Sequence, residues 1–91
     1  MRKYLIEREI PGVGDFDAGQ LCGAAKTSNA ALEKLGSGIQ WVQSFVTGDR
    51  TYCVYLASDE AIIRRHAEVS GFPANRITEI CGIIDPATAG A

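Results

Sequence analysis

Six apolar stretches follow one another along this 91-residue chain, each with its own period, and Gly, Pro, Asp or Ser separates them. The alternation of two periods, about 2 for strands and about 3.6 for helices, restricts the chain to a mixed architecture. Lys3 to Ile10 alternates with period two: Tyr4, Ile6 and Ile10 share one face, and Leu5, Glu7 and Glu9 the other. Pro11-Gly12-Val13-Gly14 stops this strand, and Asp15 or Asp17 is placed to cap a helix, because a carboxylate there accepts from the free N–H groups of the first turn. Leu21, Ala25, Ser28, Leu32 and Leu35 then recur every three or four residues, which predicts a helix over about 17–35. Gly36 and Gly38 end it. Ile39 to Thr47 and Thr51 to Ala57 are rich in β-branched and aromatic residues and flank Gly48-Asp49, the signature of a hairpin. Ser58 is expected to cap a second helix, with Asp59 and Glu60 at its positive end and Ile62, His66 and Val69 on its inner face. Gly71 closes it, and Arg76 to Ile84 alternates into a last strand that Asp85-Pro86 terminates.

The order strand, helix, strand, strand, helix, strand predicts an α+β fold, the ferredoxin-like βαββαβ sandwich. Its antiparallel sheet has the order 4-1-3-2, with two helices on one face. Residues 1–86 form one domain and the Ala/Gly-rich residues 87–91 a flexible tail. A sheet with one wet face should alternate cleanly between apolar and polar. The hairpin instead places Tyr52, Val54 and Leu56 on one face and Cys53, Tyr55 and Ala57 on the other. Both faces read as buried. Small domains gain missing burial by association, so the simplest expected cover is a second copy in a two-fold, sheet-to-sheet dimer, a dimeric α+β barrel; a bound ligand or another protein would do the same job.

Nine Lys and Arg stand against eleven Asp and Glu, and no basic run exceeds two residues (Arg2-Lys3 and Arg64-Arg65). Such a surface lacks the clustered cationic face that nucleic acid requires. The apolar runs are far shorter than the roughly 20 residues of a membrane span, and early charges in the N-terminal segment do not fit a signal peptide. Cys22, Cys53 and Cys81 have no metal-knuckle spacing and are odd in number, which suits a reducing, cytoplasmic setting.

His66 is the one histidine, so any imidazole chemistry must use it. It reads either as a packed core residue or as a ligand or general base at the sheet's edge. Glu7 and Glu9 share a face of the first strand, and Glu79 lies on the strand expected to pair with it. These carboxylates either pair with arginines such as Arg8 and Arg76 or a partner chain, or form an acid–base site or, with His66, a metal site. Trp41, Phe45 and Tyr55 either pack in the core or line a pocket, and Asn75 offers a hydrogen-bonding group in the loop after His66. Gly12-Val13-Gly14 lacks the third glycine and the Lys-Ser/Thr ending of a phosphate loop.

Ile39-Gln40-Trp41, Thr51-Tyr52-Cys53-Val54-Tyr55 and above all His66-Ala67-Glu68-Val69-Ser70-Gly71-Phe72-Pro73-Ala74-Asn75 resemble a bacterial family of small ferredoxin-like domains of unknown function that includes nickel-binding proteins. The resemblance covers nearly the whole chain and implies the dimeric α+β barrel already expected. It also implies nickel ligation by histidines of the first strand, first helix, second strand and Gly-x-Pro loop. The matching positions here are Arg8, Ser28, Gln40 and Phe72, and of the family's histidines His66 alone persists. Nickel favours several imidazole or mixed nitrogen and oxygen ligands, so the replaced positions point to a site for something other than a metal.

The expected function is a small dimeric binding protein, taking a metal ion (nickel or zinc) or a small molecule near His66, Glu9, Arg8, Trp41, Gln40 and Asn75. The alternatives are a cofactor-independent dimeric-barrel enzyme of isomerase or monooxygenase type, with His66 as base, and a protein-interaction module.

Overall fold

The computed structural model describes residues 1–90. Strand β1 (Arg2–Glu9) leads to helix α1 (Ala18–Leu35), then to the hairpin β2 (Ile39–Val46) and β3 (Arg50–Ala57), helix α2 (Glu60–Ser70) and strand β4 (Arg76–Ile80). The sheet is antiparallel throughout with the order β2-β3-β1-β4, which is the expected 4-1-3-2 order read from its other edge. Tyr4, Ile6, Cys53, Tyr55, Ala57 and Ile39 project from one face of the sheet and meet Ile63 of α2 in a single buried cluster.

Local chemistry accounts for the element ends. Asp17 caps α1 in a reciprocal box: its carboxylate accepts from the Gln20 backbone N–H at 2.8 Å, and the Gln20 amide oxygen accepts from the Asp17 N–H at 3.0 Å. The cap of α2 is Asp59 rather than Ser58; its Oδ1 accepts from the Ile62 N–H at 3.0 Å. Ser58 instead donates its backbone N–H to the Gly38 carbonyl. Gly71 ends α2 with φ 81°, a conformation open to glycine at no steric cost.

Three departures from the sequence reading matter. First, β4 stops at Ile80 instead of Ile84. Its ladder with β1 ends at the Lys3–Ile80 pair, and Gly82 offers no side chain to anchor the chain beyond. Ile83 and Ile84 are consequently exposed. Second, Val69 is exposed and Ile63, not Val69, joins His66 on the buried face of α2. Third, β2 carries a bulge between Trp41 and Gln43. One extra residue reverses the alternation, so Trp41 and Ser44 fall on the same face. Pro86–Gly90 forms a 3-10 turn in which the Asp85 carboxylate accepts from the Ala87 N–H at 2.9 Å. Ala91, the end of the tail expected to be flexible, lies outside the described residues.

The β1–α1 loop is laced to the hairpin turn. The Ile10 N–H donates to the Asp49 carbonyl and the Gly14 N–H to the Gly48 carbonyl, both at 2.9 Å. A Cβ on Gly14 would lie 2.8 Å from both the Gly48 Cα and the Thr47 carbonyl oxygen. Gly14→Ala is therefore expected to cost about 1–3 kcal/mol in a urea titration, since backbone on the opposing side must move. The same change at Gly23, where an added Cβ meets nothing within 4 Å, supplies the control.

Candidate functional site

The two layers do not close completely. Between the N-terminal half of α1 and the β2-β3-β1 part of the sheet lies a cavity of about 370 Å³. Val13 and Phe16 of the β1–α1 loop wall one end, Ala24 and Ala25 form the helix side, and Trp41, Cys53 and Tyr55 the sheet side. Small residues on α1 make the space: two alanines leave a gap where leucines would fill it. Leu21 and Val46, both exposed, stand at the rim.

Arg8 is the only charged residue in the lining. The strand's alternation puts it on the face of Tyr4 and Ile6, and it is 2 % exposed. Its Nη1 donates to the Pro73 carbonyl at 2.7 Å. Its guanidinium lies 6.0 Å from the centre of the Tyr55 ring and 5.9 Å from that of Phe72, within cation–π range. Among the described residues Nη2 has no partner, and no carboxylate comes within ion-pair distance of Arg8.

A second polar cluster backs the cavity. Ser28 Oγ lies 3.2 Å from His66 Nε2 and 3.3 Å from the Tyr55 hydroxyl, so a buried chain runs Tyr55–Ser28–His66. His66 is 0 % exposed. Nε2 also approaches the Ser28 carbonyl at 3.4 Å, while Nδ1 has no partner among the described residues. Burial, and then the charge of Arg8, push the imidazole pKa below its ordinary value of 6.5, against a weaker opposing effect of the Ser28 carbonyl. Burial raises the Tyr55 pKa above 10.0, countered by the Ser28 hydrogen bond and Arg8. Both groups are neutral at pH 7. Ser28 and His66 have the spacing of a nucleophile and its base, but Ser28 sits inside α1. The helix interior spends its N–H groups on its own carbonyls, which leaves no backbone donors there for an oxyanion.

The candidate residues do not form one group. Arg8 and Trp41 line the cavity, and His66 lies behind it, joined through Ser28. Glu7, Glu9 and Gln40 project from the opposite face of the sheet. There Glu9 pairs with Arg50 at 3.0 Å, and Glu7 lies 3.9 Å from Arg50 and 3.8 Å from Arg76. Asn75 is a clamp on β1: its Oδ1 accepts from the Glu9 N–H at 2.7 Å, and its own N–H donates to the Glu7 carbonyl. Glu79 stands opposite Tyr4 in the ladder, on the face away from Glu7 and Glu9, and pairs with Arg2 at 3.6 Å. The register thus parts the three carboxylates, and neither they nor His66 form a common set. No group of three or more His, Cys, Asp or Glu able to hold a metal ion occurs among the described residues. With one fully buried imidazole and no converging donors, the residues present do not fit nickel.

Ser28 and Phe72, two positions where the resemblance implied histidines, line the same cavity as Arg8; Gln40, the other replaced position, does not. Val13, Phe16 and Ala24 had no sequence signal, and Ala25 was marked only as part of the α1 stripe, because loop and small residues become a wall only when the layers are stacked. No helix among the described residues is long and apolar enough to cross a membrane.

Comparison with known proteins agrees with this architecture. A crystal structure of SCO4226 from Streptomyces coelicolor A3(2) superposes with a TM-score of 0.71 over 90% of this chain and 99% of that one, at 22% identity, and shows the same fold. No curated protein matches the sequence. The model of the family described as nickel responsive protein SCO4226-like matches residues 4–80, and the chain belongs to that SCO4226-like family.

Proposed function

We propose that this protein is a binding protein for a small organic molecule, held in the cavity between α1 and the sheet. The cavity itself carries the reading. About 370 Å³ falls in the range of small-molecule sites, and an apolar lining with a few convergent polar groups (Arg8, Ser28, Thr51 and Tyr55) is what such sites present. The family's name attaches nickel responsiveness to its members, but the donors that nickel needs are not assembled here.

Two further features belong to this reading. The outer face of the sheet carries Leu5, Tyr52, Val54 and Leu56, each half-buried, with Phe45 54% exposed beside them. A second copy laid sheet to sheet would remove this surface from water, which supports a homodimer. Cys22 and Cys81 are exposed free thiols, which suits a reducing compartment such as the cytoplasm.

Filling the cavity tests the proposal. Ala25→Phe places a ring in the space, and burying it is expected to raise the melting temperature by several degrees. In calorimetric titration the native protein is expected to bind 2-naphthol at one saturable site, and Ala25→Phe to bind none. Equal binding by both proteins would move the ligand out of the cavity. Micromolar nickel binding by reduced, metal-stripped protein, lost in His66→Ala, would restore the metal reading and overturn this one.

A further inference from the structure

We propose that the cavity is selective for apolar monocarboxylates, with the ligand's carboxylate completing the coordination of Arg8; this rests on the cavity being a ligand site. Arg8 is buried to within 2 % of full enclosure, yet no carboxylate of the described residues pairs with it. Buried charges are normally paired, because an uncompensated one forfeits its hydration. The nearby acids do not serve: Glu7 and Glu9 flank Arg8 in sequence, but strand alternation sends them to the other face, where Arg50 and Arg76 meet them.

A purely structural role for Arg8 accounts for only part of it. The clip that holds the Phe72–Pro73 loop uses Nη1 alone. Nη2 is left buried and without a partner among the described residues, on a side chain that forms part of the cavity wall. Tyr55 and Phe72 lie near the guanidinium at 6.0 and 5.9 Å and provide it with aromatic surface. A planar anion meeting the guanidinium edge receives charge-assisted hydrogen bonds.

The remaining walls define the rest of the ligand. Arg8 is the sole cation of the lining and no acid joins it, so one negative charge is matched and a second is not. A phosphate monoester, with a charge near −2 at neutral pH, would bring one charge too many. Tyr55 keeps its phenolic proton and does not add a negative charge. Away from Arg8 the surface is almost wholly apolar, formed by Ile10, Val13, Phe16, Ala25 and Trp41. A cavity of about 370 Å³ lies at the small end of the range for ligand sites, which suits a ligand of one or two rings. An arene or short branched chain bearing one carboxylate meets all these constraints.

Paired titrations of the full chain at pH 7.5 with 2-naphthoate and 2-naphthamide decide the matter. The two probes share shape and differ in charge. Naphthoate is expected to bind at least tenfold more tightly than the amide. Arg8→Met should abolish that preference while leaving amide binding in place, and Arg8→Lys should keep part of it. Equal affinity for the two probes in the native protein, a comparison that needs no variant, would overturn the carboxylate assignment while leaving the cavity a ligand site. Preference retained in folded Arg8→Met would place the anion elsewhere and overturn it too. Binding of neither probe would remove the cavity reading and this inference together.

Discussion

Ile6→Ala is expected to lower the unfolding free energy by about 3 kcal/mol, within the range of about 2–5 kcal/mol for large-to-small changes in a packed core. Ile6 is 0% exposed and lies between Cys53 of β3 and Ile77 of β4 at the middle of the sheet. Truncation removes its packing against the cluster that contains Tyr4, Tyr55 and Ile63, and the sheet backbone cannot collapse into the gap. For a domain of this size the midpoint of thermal unfolding should fall by more than about 10 °C. Urea denaturation gives the free energy directly. A loss under about 1 kcal/mol would mean that the centre of the sheet is loosely packed.

The neighbouring residue converts this experiment into a test of the second copy. Leu5 points to the outer face and is half-buried in the single chain. In a monomer, Leu5→Ala should cost about 1 kcal/mol or less, because less surface is returned to water. Covered by a partner's sheet, it should cost about as much as Ile6→Ala, with a midpoint that depends on protein concentration. Equal costs without that dependence would contradict the sheet-to-sheet dimer.

Stability is also expected to fall as the pH drops from 6.5 to 5. His66 is held below its ordinary pKa by burial and by Arg8. The unfolded chain therefore takes up a proton near pH 6.5 while the folded chain does not. The contribution of neutral His66 is fully present above pH 6.5 and is lost as the pH falls toward the depressed folded value, at up to about 1.4 kcal/mol per pH unit. The chain has one histidine, so the slope in this window has one source until carboxylates begin to titrate. His66→Gln should flatten the profile. A native protein with no slope between pH 6.5 and 5 would show that the folded state accepts the proton at no cost, contrary to an imidazole enclosed with an arginine.

How much of this was legible beforehand depends on the range of the interaction responsible. The alternation of Tyr4, Ile6 and Ile10 with Leu5, Glu7 and Glu9, the stripe through Ser28 on α1, and the glycines at 36 and 71 are local signals, and they determined the six elements, their order and the ferredoxin-like topology. The burial of His66 was legible from its spacing with Ile62 on α2. The α2 cap was not, since Ser58 and Asp59 are both good capping residues and the hydrogen bond to Gly38 commits the Ser58 backbone elsewhere.

The candidate site divides along the same line. Sequence by itself marked Arg8, Ser28 and Phe72 as replaced positions, but it offered Arg8 as a partner for the strand carboxylates, which pair with Arg50, Arg76 and Arg2 instead. Only the tertiary structure decided that these three surround one space. Ladder register separated Glu79 from Glu7 and Glu9, and a one-residue bulge turned Trp41 and Ser44 to the same side. Register and bulge are set by pairing between residues far apart in the chain, and a cavity is the volume left after layers pack. A local pattern contains neither quantity, which is why the chain announced its fold and withheld its pocket.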